Sequence, residues 1–137
     1  MTVRNCLLAL ALALSSVALA PATAQDAAPD EVVILFETGS ATVVGEEQAQ
    51  LDSAARLFRD GNPIVMIITG TADTVGEPSR NLDLSIARAR AVAEGLVSRG
   101  IPASRLQVLG QGNSELPEVT DDEVSNARNR SARITWR

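Results

Sequence analysis

IVMIITGTADTVGEPSRNLDLSIARAR, residues 64–90, decides the fold. Its first six residues, Ile64–Thr69, form an apolar run with the β-branched content of a strand. Gly70–Pro78 follows as a polar loop punctuated by glycine. From about Arg80 or Asn81 to about Arg99 the spacing turns helical. Leu82, Ser85, Ala89, Val92, Ala93 and Leu96 are the expected buried stripe. A strand delivers the loop to the rim of a sheet and a helix carries the chain back. Loops held by rigid elements are where binding groups tend to sit.

Asp73 is the only acid between Asp60 and Glu77, and Arg88 follows it by fifteen residues. An acid and an arginine held apart on such a frame can hold a zwitterion, one charge each. The same two residues can instead form a structural salt bridge, and spacing alone leaves both readings open. Arg90 cannot share the site with Arg88, because two helix residues are roughly 160° apart around the axis. Arg88 falls at the edge of the buried stripe. Its stem is expected on the core and its guanidinium at the rim. Arg90 is expected to face solvent.

Upstream, Glu31–Phe36 (EVVILF) reads as a strand buried on both faces. Gly45–Asp60 reads as a helix, with Val44, Leu51, Ala54, Ala55 and Phe58 on one face. Glu46 and Glu47 in its first turn, and Arg56 and Arg59 in its last, suit the helix dipole. Asp60-Gly61-Asn62-Pro63 stops it. Downstream, Gly100 and Pro102 end the second helix. Leu106–Gly110 is a third strand, and Gln111–Glu118 is a loop. Thr120 is placed to cap a short helix, with Asp121, Asp122 and Glu123 in its first turn. Ser131–Trp136 is a last strand, with Ala132, Ile134 and Trp136 on one side and Arg133 and Thr135 on the other. This alternation of strands and helices predicts an α/β fold. The first strand–helix–strand crossover is expected to be parallel and right-handed.

The first 24 residues read as a secretory signal: Arg4, an apolar run Cys6–Ala20, and a small-x-small site at Ala22-Thr23-Ala24. Residues 25–30 are a short polar tether, and 31–137 a single domain. Cutting before Gln25 removes Cys6, the chain's one cysteine. The mature chain then has neither thiol nor transmembrane segment.

Composition excludes several functions. Of 137 residues, 12 are basic, all of them arginine, and 17 are acidic. The acidic balance argues against nucleic acid. There is no His, so the usual general base and the commonest zinc ligand are both missing. Aromatic content of 2% is too low for a stacking platform. Asp73-Thr74-Val75 resembles the Asp-Thr-Gly of aspartic peptidases, but Val75 replaces the required glycine. The acidic run at Asp121–Glu123 lacks the ligand spacing of a calcium loop. The expectation is a protein that is not an enzyme and needs no cofactor and no metal.

Five ordered motifs carry a resemblance: Phe36–Ala41, Gly70–Gly76, Asn81–Ala89 (NLDLSIARA), Gly100–Leu106 (GIPASRL) and Gly110-Gln111-Gly112 with Pro117 and Asn129-Arg130. Together they span about Val32–Ile134 and resemble the OmpA-like C-terminal domain, a peptidoglycan-binding module of Gram-negative envelopes. The resemblance implies a βαβαβ(α)β sandwich, its mixed sheet carrying the helices on one face. It implies that Asp73 takes the ammonium of diaminopimelate in the peptidoglycan stem peptide, that Arg88 takes the carboxylate, and that Asn81 adds hydrogen bonds. Thr71, Ala72, Thr74 and Gly39 are expected to line the site. Thr71 stands where the family usually has His, and Ala72 where it usually has Thr. Residues 129–133 (NRSAR) depart from the usual Asn-Arg-Arg-Val-Glu. The implied setting is the periplasm, with peptidoglycan as partner and room for an outer-membrane or periplasmic protein as another. The other reading is an interaction domain that keeps the fold and has weakened or lost peptidoglycan binding.

Overall fold

The computed structural model of the chain describes residues 30–137. The signal segment and all but Asp30 of the tether lie outside them. Four strands and two helices make the domain: β1 (Glu31–Leu35), α1 (Gln48–Gly61), β2 (Met66–Gly70), α2 (Pro78–Val97), β3 (Leu106–Gly110) and β4 (Ser131–Trp136). The sheet order is β1-β4-β2-β3. β4 pairs antiparallel with β1 and with β2, and β2 pairs parallel with β3. The sheet is therefore mixed. β1 and β2 run the same way, as the crossover rule predicts, but β4 lies between them.

Both helices pack on one face of the sheet. There Val32, Ile34, Met66, Ile68, Ala132 and Ile134 meet Leu51, Ala54, Ala55, Ala89, Val92 and Leu96. The opposite face carries no helix. One cross-strand row on it reads Val33, Arg133, Thr69, Leu109. β1 is consequently buried on one face only: Val32 and Ile34 point inward, while Val33 and Leu35 are exposed. The expected strand buried on both faces is corrected by this one-sided layering. In β4 the alternation is as the sequence predicts.

Several element limits shift for local reasons. A single 3-10 turn, Gly45–Glu47, precedes α1, and Asn62 ends α1 in the left-handed region at φ 43°. α2 starts at Pro78, earlier than expected. Proline fits the first helical position because it lacks a donor that would be orphaned there. The expected short helix after Thr120 does not form. Glu123 adopts φ 58°, which interrupts a right-handed helix. The helical turn comes later, as a 3-10 turn at Ala127–Asn129.

The stripe on α2 also differs. Asn81, Ser85, Arg88, Ala89, Val92 and Leu96 are buried, whereas Leu82 is 43% exposed. The N-terminal half of α2 faces loops rather than the apolar sheet, so its buried side chains are polar. Two glycines bring it close. Gly70 and Gly110 are register partners on β2 and β3. A Cβ on Gly70 would run into the Ser85 carbonyl, and one on Gly110 into Ile86. Ser85 completes the seam: its Oγ donates to Leu82 O at 2.7 Å and accepts from the Gly112 N–H at 2.8 Å.

Candidate functional site

The loop after β2 and the first half of α2 enclose a cleft of about 290 Å³. Asp73, Gly76, Glu77, Arg80, Asn81 and Arg88 line it, with Thr38 and Gly39 from the turn after β1. Of the residues the sequence singles out, Asp73, Arg88, Asn81 and Gly39 therefore share one cleft. Arg80, Leu84 and Arg88 follow one another along α2 at intervals of four, with Glu77 just before the helix. That spacing makes one face of a helix.

Arg88 sits deeper than expected. It is 0% exposed, not at the rim. Its Nε donates to Ser40 O at 2.8 Å, Nη1 to Thr71 O at 2.9 Å and Nη2 to Glu37 O at 3.2 Å. The guanidinium also lies 5.4 Å from the centre of the Phe36 ring. Three carbonyls and an aromatic face pull the cation inward, which the helical period alone does not reveal. Arginine has five N–H donors. Three are used on these carbonyls, so one on each terminal nitrogen remains. Burial pushes the guanidinium pKa down to about 10; Asp73 opposes the shift and Arg130 adds to it. Arg88 therefore remains a cation at neutral pH.

Asp73 does not pair with Arg88. Its Oδ2 meets Arg130 Nη1 at 3.2 Å and accepts from Ser125 Oγ at 3.3 Å. Arg130 Nη1 also donates to Ser125 Oγ at 3.0 Å, and its Nε donates to Phe36 O at 3.2 Å. Oδ1 has no protein donor among the described residues. Asp73 is 7% exposed. Anion and cation thus stand in one cleft without bonding each other, and each keeps hydrogen-bonding capacity. Asn81 Nδ2 donates to Val75 O at 3.1 Å and so braces the loop.

Thr71, Ala72 and Thr74 do not line this cleft. The Thr71 side chain turns to Ser131, with Oγ1 to Oγ at 3.1 Å; only its carbonyl, bonded to Arg88, belongs to the site. Ala72 is 1% exposed, and its N–H donates to Gly112 O at 2.8 Å. Thr74 is an anchor. Its Oγ1 lies 2.7 Å from Asp121 O and accepts from the Val124 N–H at 3.0 Å. Glu123 fastens the same loop, its carboxylate accepting from the Gly76 N–H at 3.3 Å. Arg130 and Ser125 are the residues that sequence reasoning missed. Arg130 stands 57 residues after Asp73, beyond any local period. The motif Asn129-Arg130 marked its neighbourhood but not its partner. Among the described residues no cluster of His, Cys, Asp and Glu suits a metal. No helix among them is long and apolar enough to cross a membrane.

The strand order β1-β4-β2-β3, two helices on one face and a charged cleft at the end of β2 define an OmpA-like α/β domain. Residues 35–130 match the OmpA family. The chain belongs to the OmpA family. It is 34% identical over 99 residues to the peptidoglycan-associated lipoprotein of Rhizobium meliloti (strain 1021), covering 72% of this chain and 56% of that protein. It is 35% identical over 132 residues to outer membrane protein A of Yersinia pseudotuberculosis serotype I (strain IP32953), covering 85% of this chain and 36% of that protein. The chain thus spans little more than half of either relative at most. Among solved structures, the peptidoglycan-associated lipoprotein from Burkholderia pseudomallei is similar with a TM-score of 0.70 and 27% identity, covering 77% of this chain and 89% of that one. The cell wall anchor of the T6SS from Pseudomonas aeruginosa is similar with a TM-score of 0.63 and 30% identity, covering 77% and 79%.

Proposed function

We propose that this domain binds peptidoglycan non-covalently, without catalysis, by holding diaminopimelate of the stem peptide in the cleft of α2. Asp73 takes the ligand's ammonium through its free Oδ1. Arg88 takes the carboxylate with the two N–H groups that its carbonyl partners leave. Asn81 holds the loop that carries Asp73. The observation that carries the reading is that Asp73 and Arg88 line one cleft while Asp73 bonds Arg130 instead. A direct Asp73–Arg88 pair would have turned the two side chains onto each other and left no gap between them for a zwitterion. The three similar proteins named for peptidoglycan or for the cell wall add support.

Arg88 lies beneath the turn at Glu37–Ser40, and two of that turn's carbonyls hold it. A ligand carboxylate has to reach the guanidinium beside this turn, where Gly39 lines the cleft and presents no side chain. The proposed setting is the periplasm, where the domain meets the wall and is free to dock on an envelope protein.

The test is co-sedimentation with purified sacculi. The wild-type domain should be retained. Asp73→Asn removes the charge and keeps the shape, so retention should drop about tenfold or more, the loss of one charge-assisted contact. Equal retention of the two would exclude this site. Released muropeptides would contradict the non-catalytic reading.

A further inference from the structure

Arg80 stands at the mouth of the same cleft with its charge unspent. It lines the cleft with Asp73 and Arg88. Among the described residues it makes neither an ion pair nor a side-chain hydrogen bond, although Glu77 lies three residues before it. It is exposed, and it occupies the first turn of α2. A helix dipole disfavours a cation there. Departures from a local rule without a compensating contact tend to fall at functional positions.

The two arginines that line the cleft stand well apart along the helix. Eight residues separate Arg80 from Arg88, which is roughly 12 Å of helix rise. Asp73 and Arg88 account for one ammonium and one carboxylate at the inner end. Arg80 and Glu77 both line the outer end, and Arg80, with no partner among the described residues, can take a further anion there. In a stem peptide the glutamate before diaminopimelate is linked through its side chain, and its α-carboxylate is free.

We infer that Arg80 is a specificity-determining residue that takes this second carboxylate, so that the domain prefers stem peptides whose glutamyl α-carboxylate is not amidated. The inference rests on the peptidoglycan reading above. It adds a choice between two chemical forms of the same ligand.

The experiment is calorimetric titration of the domain with the tripeptide L-alanyl-γ-D-glutamyl-meso-diaminopimelate, and with the same peptide amidated at the glutamyl α-carboxylate. The wild type should bind the free acid about threefold to fivefold more tightly, the range of one solvent-exposed charge contact. That preference should shrink as salt is raised. Arg80→Gln should erase it by lowering affinity for the free acid toward that for the amidated peptide. Arg80→Lys should restore part of it. A preference that survives Arg80→Gln, or equal binding of both peptides by the wild type, overturns the role of Arg80 while the site itself stands. Binding of neither peptide overturns the site and this inference together. Arg80 bonds nothing in the fold, so its variants should unfold like the wild type, and urea titration checks that.

Discussion

Arg130, on the turn before β4, holds Asp73 at 3.2 Å, and Arg88 does not. The acid at the centre of the cleft is thus positioned by a residue far from it in the chain. Both side chains are mostly buried, 15% exposed for Arg130 and 10% for Asp73. The pair holds Oδ2 and leaves Oδ1 without a protein donor among the described residues.

Arg130→Gln should therefore weaken sacculus binding more than it weakens the fold. The variant keeps polar reach to Phe36 O but loses the charge beside Asp73. We expect a severalfold loss in retention by co-sedimentation. We also expect about 1–2 kcal/mol less stability in urea, as for a charge-assisted hydrogen bond. Unchanged retention would mean that Asp73 needs no such brace.

Arg88→Ala should be costly to the fold itself. It leaves the buried carbonyl of Thr71 and the part-buried carbonyls of Glu37 and Ser40 without their donor. About 1–3 kcal/mol is the usual cost of leaving a buried acceptor without its donor. Urea denaturation reads this directly. Arg88→Lys should recover only part, because a lysine cannot present a planar fork to three carbonyls.

Arg88 should make stability depend on pH in one window only. Its folded-state pKa is lowered to about 10, below its ordinary value. Below pH 10 both folded and unfolded chains hold the proton, and the burial cost is constant. Above it the unfolded chain holds more protons, so this group's contribution rises with pH until the ordinary value is passed. The stability difference between wild type and Arg88→Met should stay level from about pH 6 to pH 9. A slope inside that range would contradict the assignment.

Gly70→Ala should separate α2 from the sheet. The added methyl meets the Ser85 carbonyl, which is backbone and cannot rotate away. Overpacking of this kind costs about 1–3 kcal/mol. It also shifts the helix that carries Asn81 and Arg88. Reduced thermal stability together with reduced retention is the expected outcome. Loss of stability alone would show that the cleft tolerates the displacement.

The order of elements was legible because each has a clear local period. IVMIIT, the Leu51–Ala55 face and the alternation of Ala132, Ile134 and Trp136 each announce one element. Asp73 and Arg88 stood out by charge, spacing and family motif. The depth of Arg88 did not, because helical period locates a residue on a face but not the carbonyls that await it. The Asp73–Arg130 pair was hidden for the same reason, being created by sheet order. Thr74 looked like a site residue because it adjoins Asp73. Its hydroxyl is committed to residues 121 and 124, which no local pattern links to it. Thr120 and its acids matched a helix cap, but the left-handed turn at Glu123, tied by Glu123 N to Thr74 O at 3.1 Å, won instead.

β4 lies between β1 and β2 and pairs with both along most of its length. A nascent chain holding β1 through β3 has the middle of its sheet missing. It can form the parallel β2–β3 pair with α2, but β1 has nothing to join. The domain thus stays open until the segment around Ile134 emerges, and the same late strand draws Arg130 onto Asp73. Completion of the sheet and pairing of Arg130 with Asp73 are one event, so a folding intermediate without β4 should lack the braced acid of the cleft.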